Sequence, residues 1–146
     1  MKNFFLSTCL SFFCFCTALS QDWNTDIEVA KSKATKQQQN IVLVFQGSDW
    51  CAPCIKLDKE IWSTETFKAY AKDHFVMLQA DFPRRKKNRL PKEQQNHNNR
   101  LAEAYNKNGH FPLVVVLDKN GEVLGQTGYK KLSPSEYIVL LTSFKG

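Results

Sequence analysis

The sequence has few of the residues that mark fibrous or low-complexity proteins. Its 146 residues include only 6 Gly, 5 Pro and 5 Cys, which excludes a collagen-like or low-complexity chain. No repeat of about 20 to 50 residues is visible, so a solenoid is excluded as well. The apolar fraction of 42% and the 11 phenylalanines are enough for one hydrophobic core. The formal net charge of +6 can attract acidic partners, but it does not by itself indicate nucleic acid.

The first 20 residues have the pattern of a secretory signal peptide. The start, Met1-Lys2-Asn3, carries one positive charge, and residues 4–19 are almost wholly apolar and uncharged. In Ala18-Leu19-Ser20 the small residues Ala18 and Ser20 occupy the two positions that a signal peptidase reads. We expect residues 1–20 to be removed and residues 21–146 to form one domain in a bacterial periplasm or outside the cell. An uncleaved membrane anchor and a lipid-modified cysteine are the alternatives.

Removal of that segment leaves only two of the five cysteines, Cys51 and Cys54, in a C-x-x-C spacing. A disulfide across so short a loop removes little chain entropy from the unfolded state, which argues against a structural purpose. A tetrahedral zinc site needs four ligands, and the three histidines repeat no ligand spacing. The sequence therefore favours redox chemistry over a staple or a metal site.

The hydrophobic pattern predicts alternating helices and strands in one α/β domain, a central mixed β-sheet flanked by helices. The apolar, β-branched run 41–45 is typical of a strand buried on both faces. Residues 133–136, Ser-Pro-Ser-Glu, have the pattern of a helix capping box. The polar and basic residues 82–98 predict an exposed insertion. The predicted elements are helix 24–39, strand 41–45, helix 51–60, helix 64–72 capped by Ser63, strand 75–80, helix 99–107, strand 113–117, strand 122–127 and helix 134–144.

The chemistry is concentrated in Trp50-Cys51-Ala52-Pro53-Cys54, at the start of the helix after the buried strand. Two cysteines three positions apart on the first helical turn share a face and are close enough for a disulfide. The helix N-terminus stabilises the thiolate of Cys51, whereas Cys54 lies further in, where it is shielded. This arrangement predicts that Cys51 attacks a disulfide and that Cys54 resolves the mixed disulfide.

Taken together, these residues resemble the thioredoxin superfamily. The stretch 41–56, IVLVFQGSDWCAPCIK, is similar to that family's second strand, active-site turn and following helix. His110-Phe111-Pro112, with the strand and turn that follow, resembles its cis-proline segment and hairpin. The Gly-Ser-Asp-Trp-Cys opening and the N-terminal helix resemble more narrowly the extracytoplasmic thioredoxin-like proteins of bacteria, including the soluble domains of thiol:disulfide interchange proteins.

The resemblance implies a thioredoxin fold with an added N-terminal helix and a basic insertion. It further implies a cis Phe111–Pro112 bond packed against Cys51 and Cys54, with the backbone of Phe111 available to pair with a substrate strand. Trp50 is expected to cover the site. Cys51 and Cys54 are thus the catalytic residues, and Trp50, Phe111 and Pro112 the substrate-binding ones. No cofactor and no metal are expected, since electrons pass between cysteines.

Two departures from that family stand out. Phe45 occupies the position of the buried Asp that usually assists deprotonation of the second cysteine, and Met77 is expected in place of the Lys that faces it. The basic run Arg84-Arg85-Lys86-Lys87-Asn88-Arg89 is the other departure. A solvated loop is the simplest interpretation of this run, and a docking surface for an acidic partner or lipid headgroups is the alternative.

Four other residues need an interpretation, and for two of them the sequence leaves two roles open. Asp49 either caps the turn or tunes the field at Cys51. His110 either tunes the thiolate or is a surface turn residue. Trp23 and Trp62 are expected to pack in the core or at its rim.

The sequence thus predicts an extracytoplasmic thiol–disulfide oxidoreductase, with reduction of protein disulfides as the favoured direction. Its expected partners are protein thiols and disulfides, together with a membrane or soluble redox protein that donates or accepts electrons. Nucleic acid is not expected, because no aromatic residues interleave with the basic run, and a monomer is expected. The alternative is a peptide-binding or chaperone-like module of the same fold with little redox turnover.

Overall fold

The computed structural model describes residues 21–145, and the predicted signal peptide at 1–20 lies outside the described residues. None of the helices within 21–145 is both long and apolar enough to span a membrane. A π-helical turn at Asp58–Trp62 and a 3₁₀ turn at Lys86–Asn88 supplement the regular elements. The strands and helices are β1 Trp23–Asn24, α1 Ile27–Gln37, β2 Asn40–Gln46, α2 Ala52–Leu57, α3 Glu65–His74, β3 Phe75–Asp81, α4 Lys92–Tyr105, β4 Leu113–Leu117, β5 Val123–Thr127 and α5 Pro134–Ser143.

The five strands form one mixed sheet in the order β1-β3-β2-β4-β5. Strands β1 and β2 both run parallel to β3, whereas β4 is antiparallel to β2 and to β5. The predicted mixed sheet flanked by helices is confirmed.

Strand β2 is buried on both faces, as its apolar run predicts. Val42 and Val44 belong to a cluster that includes Phe67 of α3 and Tyr137 of α5. Ile41, Leu43 and Phe45 belong to a second cluster, on the other face, with Ala30 and Ala34 of α1 and Leu101 of α4. The strand ends at Gln46, so the cysteine turn lies at its carboxyl end.

The N-terminal helix is shorter than predicted. Asn24 belongs to β1 and is buried, and its side-chain amide donates to the carbonyl of Met77 at 2.9 Å. The helix begins after Asp26, whose carboxylate accepts from the backbone N–H groups of Glu28 and Val29. It ends before Gln38, which has a left-handed backbone with φ of 53°. The predicted bounds 24–39 are therefore wrong at both ends.

The prediction of an exposed insertion over 82–98 is wrong in its second half, because α4 begins at Lys92 rather than at residue 99. Asn98 is only 2% exposed. Its amide donates to the carbonyl of Asp81 at 2.9 Å and accepts from Gln94 at 2.9 Å. Polar side chains attach this half of the helix to the rest of the domain. The sequence there therefore lacks the apolar periodicity from which a helix is predicted.

Two smaller predictions concern helix caps. The N-cap of α3 is Thr64, whose hydroxyl accepts from the backbone N–H of Phe67 at 3.3 Å, so the predicted cap at Ser63 is wrong. The capping box that opens α5 is confirmed, with Ser133 and Glu136 bonding reciprocally.

Candidate functional site

The two cysteines lie at the junction of a tight turn and α2. The backbone N–H of Cys51 donates to the carbonyl of Gly47 at 2.9 Å, which closes the turn after β2. Cys51 is the N-cap residue of α2, and its Sγ accepts from the backbone N–H of Cys54 at 3.3 Å. The sulfur of Cys51 therefore takes the place that a hydroxyl or carboxylate oxygen occupies at other helix starts.

Cys51 and Cys54 form a disulfide, with their Cα atoms 5.2 Å apart. Each residue is 4% exposed. The sequence predicted that only Cys54 is shielded, but in the disulfide form the two residues are equally buried. In this form neither cysteine presents more than a small part of its surface to solvent.

Aromatic residues from three parts of the chain meet beside this turn. The indole N–H of Trp50 donates to the carbonyl of Phe82 at 2.8 Å. The ring of Phe111 makes edge contacts with both Trp50 and Phe82, each with ring centroids 5.5 Å apart. The Phe111–Pro112 peptide bond is cis, and Pro112 is buried. Because β4 begins at the next residue, Leu113, which pairs with Phe45, this segment lies at the same end of the sheet as the cysteine turn.

Strand β2 lacks the buried acid of the thioredoxin superfamily, as predicted. The residue of β3 that faces this position is not the one that the sequence suggested. Phe45 is fully buried and pairs with Ala80 of β3. Met77 pairs with Val42 and packs in the cluster on the other face of the sheet. The prediction that Met77 faces Phe45 is therefore wrong, and the aligned position carries no charge.

Asp49 is the site residue that the sequence did not resolve. Its carboxylate accepts from the backbone N–H groups of Arg84 and Arg85 and from the side-chain amide of Asn88, each at 2.9 Å. The N–H of Arg84, followed by the bonds from Asn88 and Arg85 and the charge of Arg85, holds the pKa of Asp49 below its usual 3.8. These partners lie 35 to 39 positions away in the chain, so no local pattern identifies them.

Arg84 completes the surroundings of the turn. Its guanidinium carbon lies 3.6 Å from the centroid of the Trp50 ring, a cation–π contact.

His110, by contrast, is exposed, and its backbone is fixed by two hydrogen bonds with the side chain of Asn106. Trp62 is buried and makes an edge contact with Trp23 at 6.2 Å between ring centroids, so the predicted packing role of both is confirmed.

A cavity of about 510 Å³ lies away from the cysteines, at the beginning of β3 between α1 and α3, where Lys33, Lys68 and Phe75 are among its lining residues. Within residues 21–145, no group of three or more metal-binding side chains comes together.

Comparison with known proteins agrees with this site. A thioredoxin-like family model matches residues 22–119. The chain is 34% identical over 121 residues to a protein of Chlamydia pneumoniae named disulfide bond reductase DsbH, covering 83% of this chain and 70% of that protein. A solved structure of a DsbH oxidoreductase is 30% identical, with a TM-score of 0.78, and the match covers 94% of this chain and 93% of the other.

A more distant structure, a disulphide isomerase from Xylella fastidiosa, is 21% identical with a TM-score of 0.60, over 86% of this chain and 98% of the other. That likeness supports the fold alone. The thioredoxin fold predicted from the sequence is confirmed. Because the family model matches more than half of the chain and the paired cysteines form a disulfide, the chain belongs to the thioredoxin-like family and is a thiol–disulfide oxidoreductase.

Proposed function

We propose that this oxidoreductase reduces disulfide bonds of proteins outside the cytoplasm, with Cys51 as the attacking thiol and Cys54 as the resolving thiol. The observation that carries the proposal is the Cys51–Cys54 disulfide at the start of α2, where the N–H of Cys54 donates to Sγ of Cys51. A donor aimed at this sulfur favours its thiolate, which is the reactive form in disulfide exchange. Similarity to a protein named as a disulfide bond reductase supports the direction.

The reaction proceeds in two exchanges. The thiolate of Cys51 attacks one sulfur of the substrate disulfide, so the substrate S–S bond breaks, a mixed disulfide forms and the other substrate sulfur leaves as a thiolate. Cys54 then loses its proton and attacks Sγ of Cys51, which releases the second substrate thiolate. The substrate gains two electrons, and the protein is left with the Cys51–Cys54 disulfide. A redox protein must then return two electrons to this pair before the next turnover.

In this scheme Cys54 gives its proton to water or to another nearby group such as a carboxylate. The aligned positions in β2 and β3 are Phe45 and Ala80, both fully buried and apolar. No side chain at this pair of positions can accept the proton.

Trp50, Phe111 and Pro112 form the proposed substrate surface. Their support is positional, since Trp50 precedes Cys51 directly and its ring contacts Phe111. The extracytoplasmic location is supported by the charged start and apolar run of residues 1–20. Sequencing the N-terminus of the protein purified from its cells tests it, with Gln21 as the expected first residue.

Reduction of a protein disulfide such as that of insulin, with dithiothreitol as electron source, tests the proposed function. We expect turnover by the wild type and none by Cys51→Ser. Cys54→Ser, reduced beforehand and freed of dithiothreitol, should instead accumulate a mixed disulfide with the substrate, because the resolving thiol is missing. If the wild type shows no turnover and Cys51→Ser binds peptide as tightly as the wild type does, the result would instead support the peptide-binding module.

The reduction potential of the cysteine pair, measured against glutathione, tests the direction. A reductase should lie closer to the value of about −270 mV that is typical of thioredoxin than to the value of about −120 mV of a strong disulfide oxidant. A potential near the second value would assign oxidation rather than reduction to this site.

A further inference from the structure

The basic segment, defined here as Arg84, Arg85, Lys86, Lys87 and Arg89, is fastened directly to the turn that carries the disulfide. Each of the three residues before Cys51 bonds either to this segment or to the residues that lead into it. Ser48 donates from its backbone N–H and its hydroxyl to the carboxylate of Asp81, at 2.9 Å and 2.6 Å. Asp49 accepts from the backbone N–H groups of Arg84 and Arg85, which open the segment, and Trp50 donates to the carbonyl of Phe82, two residues before it.

The backbone of the basic segment is ordered by its own hydrogen bonds as well. A 3₁₀ turn spans Lys86–Asn88, with the N–H of Asn88 donating to the carbonyl of Arg85 at 2.9 Å and that of Arg89 to the carbonyl of Lys86 at 3.3 Å. The side-chain amide of Asn88 returns to Asp49. The backbone that carries the five charges is thus held in place beside the cysteine turn rather than being a free loop.

The positive charge of this surface is largely uncompensated. All five cationic residues are exposed, and within residues 21–145 none of them forms an ion pair with a carboxylate. The carboxylates of Asp49 and Asp81 lie at the beginning of the segment, and both accept from N–H and hydroxyl groups rather than pairing with its cations. Five positive charges against two negative ones leave a field that attracts acidic groups over about 8 Å at physiological salt.

The position of the basic segment beside the cysteine turn determines which kind of partner it can bind. Arg84 packs on Trp50, the residue next to Cys51, so a group bound to the cluster lies beside the sulfur that exchanges. A lipid surface in the same place would lie across the cysteine turn and obstruct a protein disulfide. A polypeptide can place an acidic stretch on the cluster and its own cysteine on Cys51 at the same time.

We propose that the basic segment is a docking site for an acidic stretch of the protein that exchanges its disulfide with Cys51. This inference rests on the proposed function and adds the substrate class: proteins whose reactive cysteine has acidic residues nearby. Docking of this kind acts mainly through the rate of encounter and leaves the two exchange steps unchanged.

The test compares two peptide disulfides that are identical except that one has Asp and Glu residues beside the cysteine and the other has Ser and Gln. We expect wild-type protein to prefer the acidic peptide in kcat/KM by at least about tenfold at low salt. The triple variant Arg85→Gln/Lys86→Gln/Lys87→Gln should lose most of that preference. Arg84 is kept, since its side chain packs on Trp50.

A matched control removes three exposed charges from the other end of the sheet: Lys36→Gln/Lys72→Gln/Lys119→Gln. Lys36 and Lys72 lie in the last turns of α1 and α3, and Lys119 lies in the turn after β4. This variant changes the net charge by the same amount and should keep the preference for the acidic peptide. Equal loss of preference in the two variants would attribute the effect to net charge and overturn the docking site.

The dependence of the peptide preference on salt concentration can be measured without a variant. The preference of the wild type for the acidic peptide should fall as salt is added. Reduction of both peptides at equal rates would overturn the docking proposal and leave the proposed function standing. Reduction of neither would overturn both. Binding to phosphatidylglycerol vesicles that the first triple variant loses, without any peptide preference in the wild type, would assign the segment to lipid instead.

Discussion

At the scale of single residues, the smallest residue near the disulfide determines where the largest one lies. A Cβ atom at Gly47 would collide with the indole of Trp50 at Cε2, Nε1 and Cζ2, so the ring lies against the bare backbone of this glycine. From that position the indole reaches the carbonyl of Phe82 and the guanidinium of Arg84. Gly47 is therefore required for close approach, while its φ is one that other residues adopt.

We predict that Gly47→Ala displaces Trp50 and costs about 1–3 kcal/mol of unfolding free energy, as overpacking of a close contact does. The variant should also lose the hydrogen bond to Phe82 and the contact with Arg84. Urea unfolding measures the cost, and tryptophan fluorescence reports the displaced ring.

A double-mutant cycle with Trp50→Ala provides the control for this prediction. Once the indole is gone, Gly47→Ala should be close to neutral or slightly stabilising, because alanine restricts the unfolded chain more than glycine does. The same cost in both backgrounds would mean that the methyl group meets something other than Trp50.

The site residues show what sequence can reach at this scale. The disulfide follows from the C-x-x-C motif, and the cis Phe111–Pro112 bond was expected from the family resemblance, whereas the contact of Trp50 with Phe111 was not predicted. The anchoring role of Asp49 does not follow from a local motif either, because its partners are brought near only by the fold. The placement of Met77 was wrong for a related reason, since the pairing register of β3 on β2 sets which residue lies opposite Phe45.

At the scale of elements, α4 shows how a helix docks without an apolar stripe at its start. The imidazole Nε2 of His97 accepts from the backbone N–H of Ile27 at 3.3 Å, and Gln94 donates to the carbonyl of Thr25 at 3.0 Å. Apolar packing begins only at Leu101, which is 4% exposed. Hydrophobic periodicity therefore finds the second half of the helix and misses the first half, where side-chain hydrogen bonds replace apolar contacts.

Asn98 is the residue on which this polar docking most depends. We predict that Asn98→Ala costs about 1–3 kcal/mol, because the carbonyl of Asp81 loses its donor in a buried place. Its neighbour Asn99 is exposed and bonds only to Gln95 within the same helix, so Asn99→Ala should stay within about 0.5 kcal/mol of the wild type. Denaturant unfolding of the two variants compares them directly, and similar costs would refute the docking role of Asn98.

At the scale of the whole molecule, the sheet separates two apolar layers that differ in kind. One is formed with α1 and α4 and contains mostly aliphatic residues. The other contains an aromatic group around Trp62, which makes edge contacts with Phe67 and Tyr137 at 4.7 Å and 5.4 Å between ring centroids. The alternation of β2 residues between the layers could be predicted from its apolar run. The partners within each layer could not, because they depend on how helices distant in sequence pack.

Tyr137 connects the aromatic layer to the loop after β5. Its ring is fully buried, and its hydroxyl donates to the carbonyl of Gly128 at 2.8 Å. Burial raises the pKa of Tyr137 far above its ordinary value of 10.0. A raised pKa in the folded state means that the stability linked to this group is complete below pH about 10 and is lost as the pH rises further.

We predict that Tyr137→Phe is less stable than the wild type near neutral pH by about 1 kcal/mol or more, because the carbonyl of Gly128 loses its donor. Above pH about 10 ionisation of this tyrosine stabilises the unfolded state of the wild type. The variant has no tyrosine at this position, so its unfolded state is not stabilised in this way. By pH about 11 the unfolding free energy of the wild type minus that of the variant should therefore be about 1.4 kcal/mol lower than near neutral pH. Urea unfolding of both proteins at the two pH values measures the change. A gap that stays constant would show that Tyr137 ionises as readily in the folded protein as in the unfolded chain, and that its burial carries no penalty for the charged form.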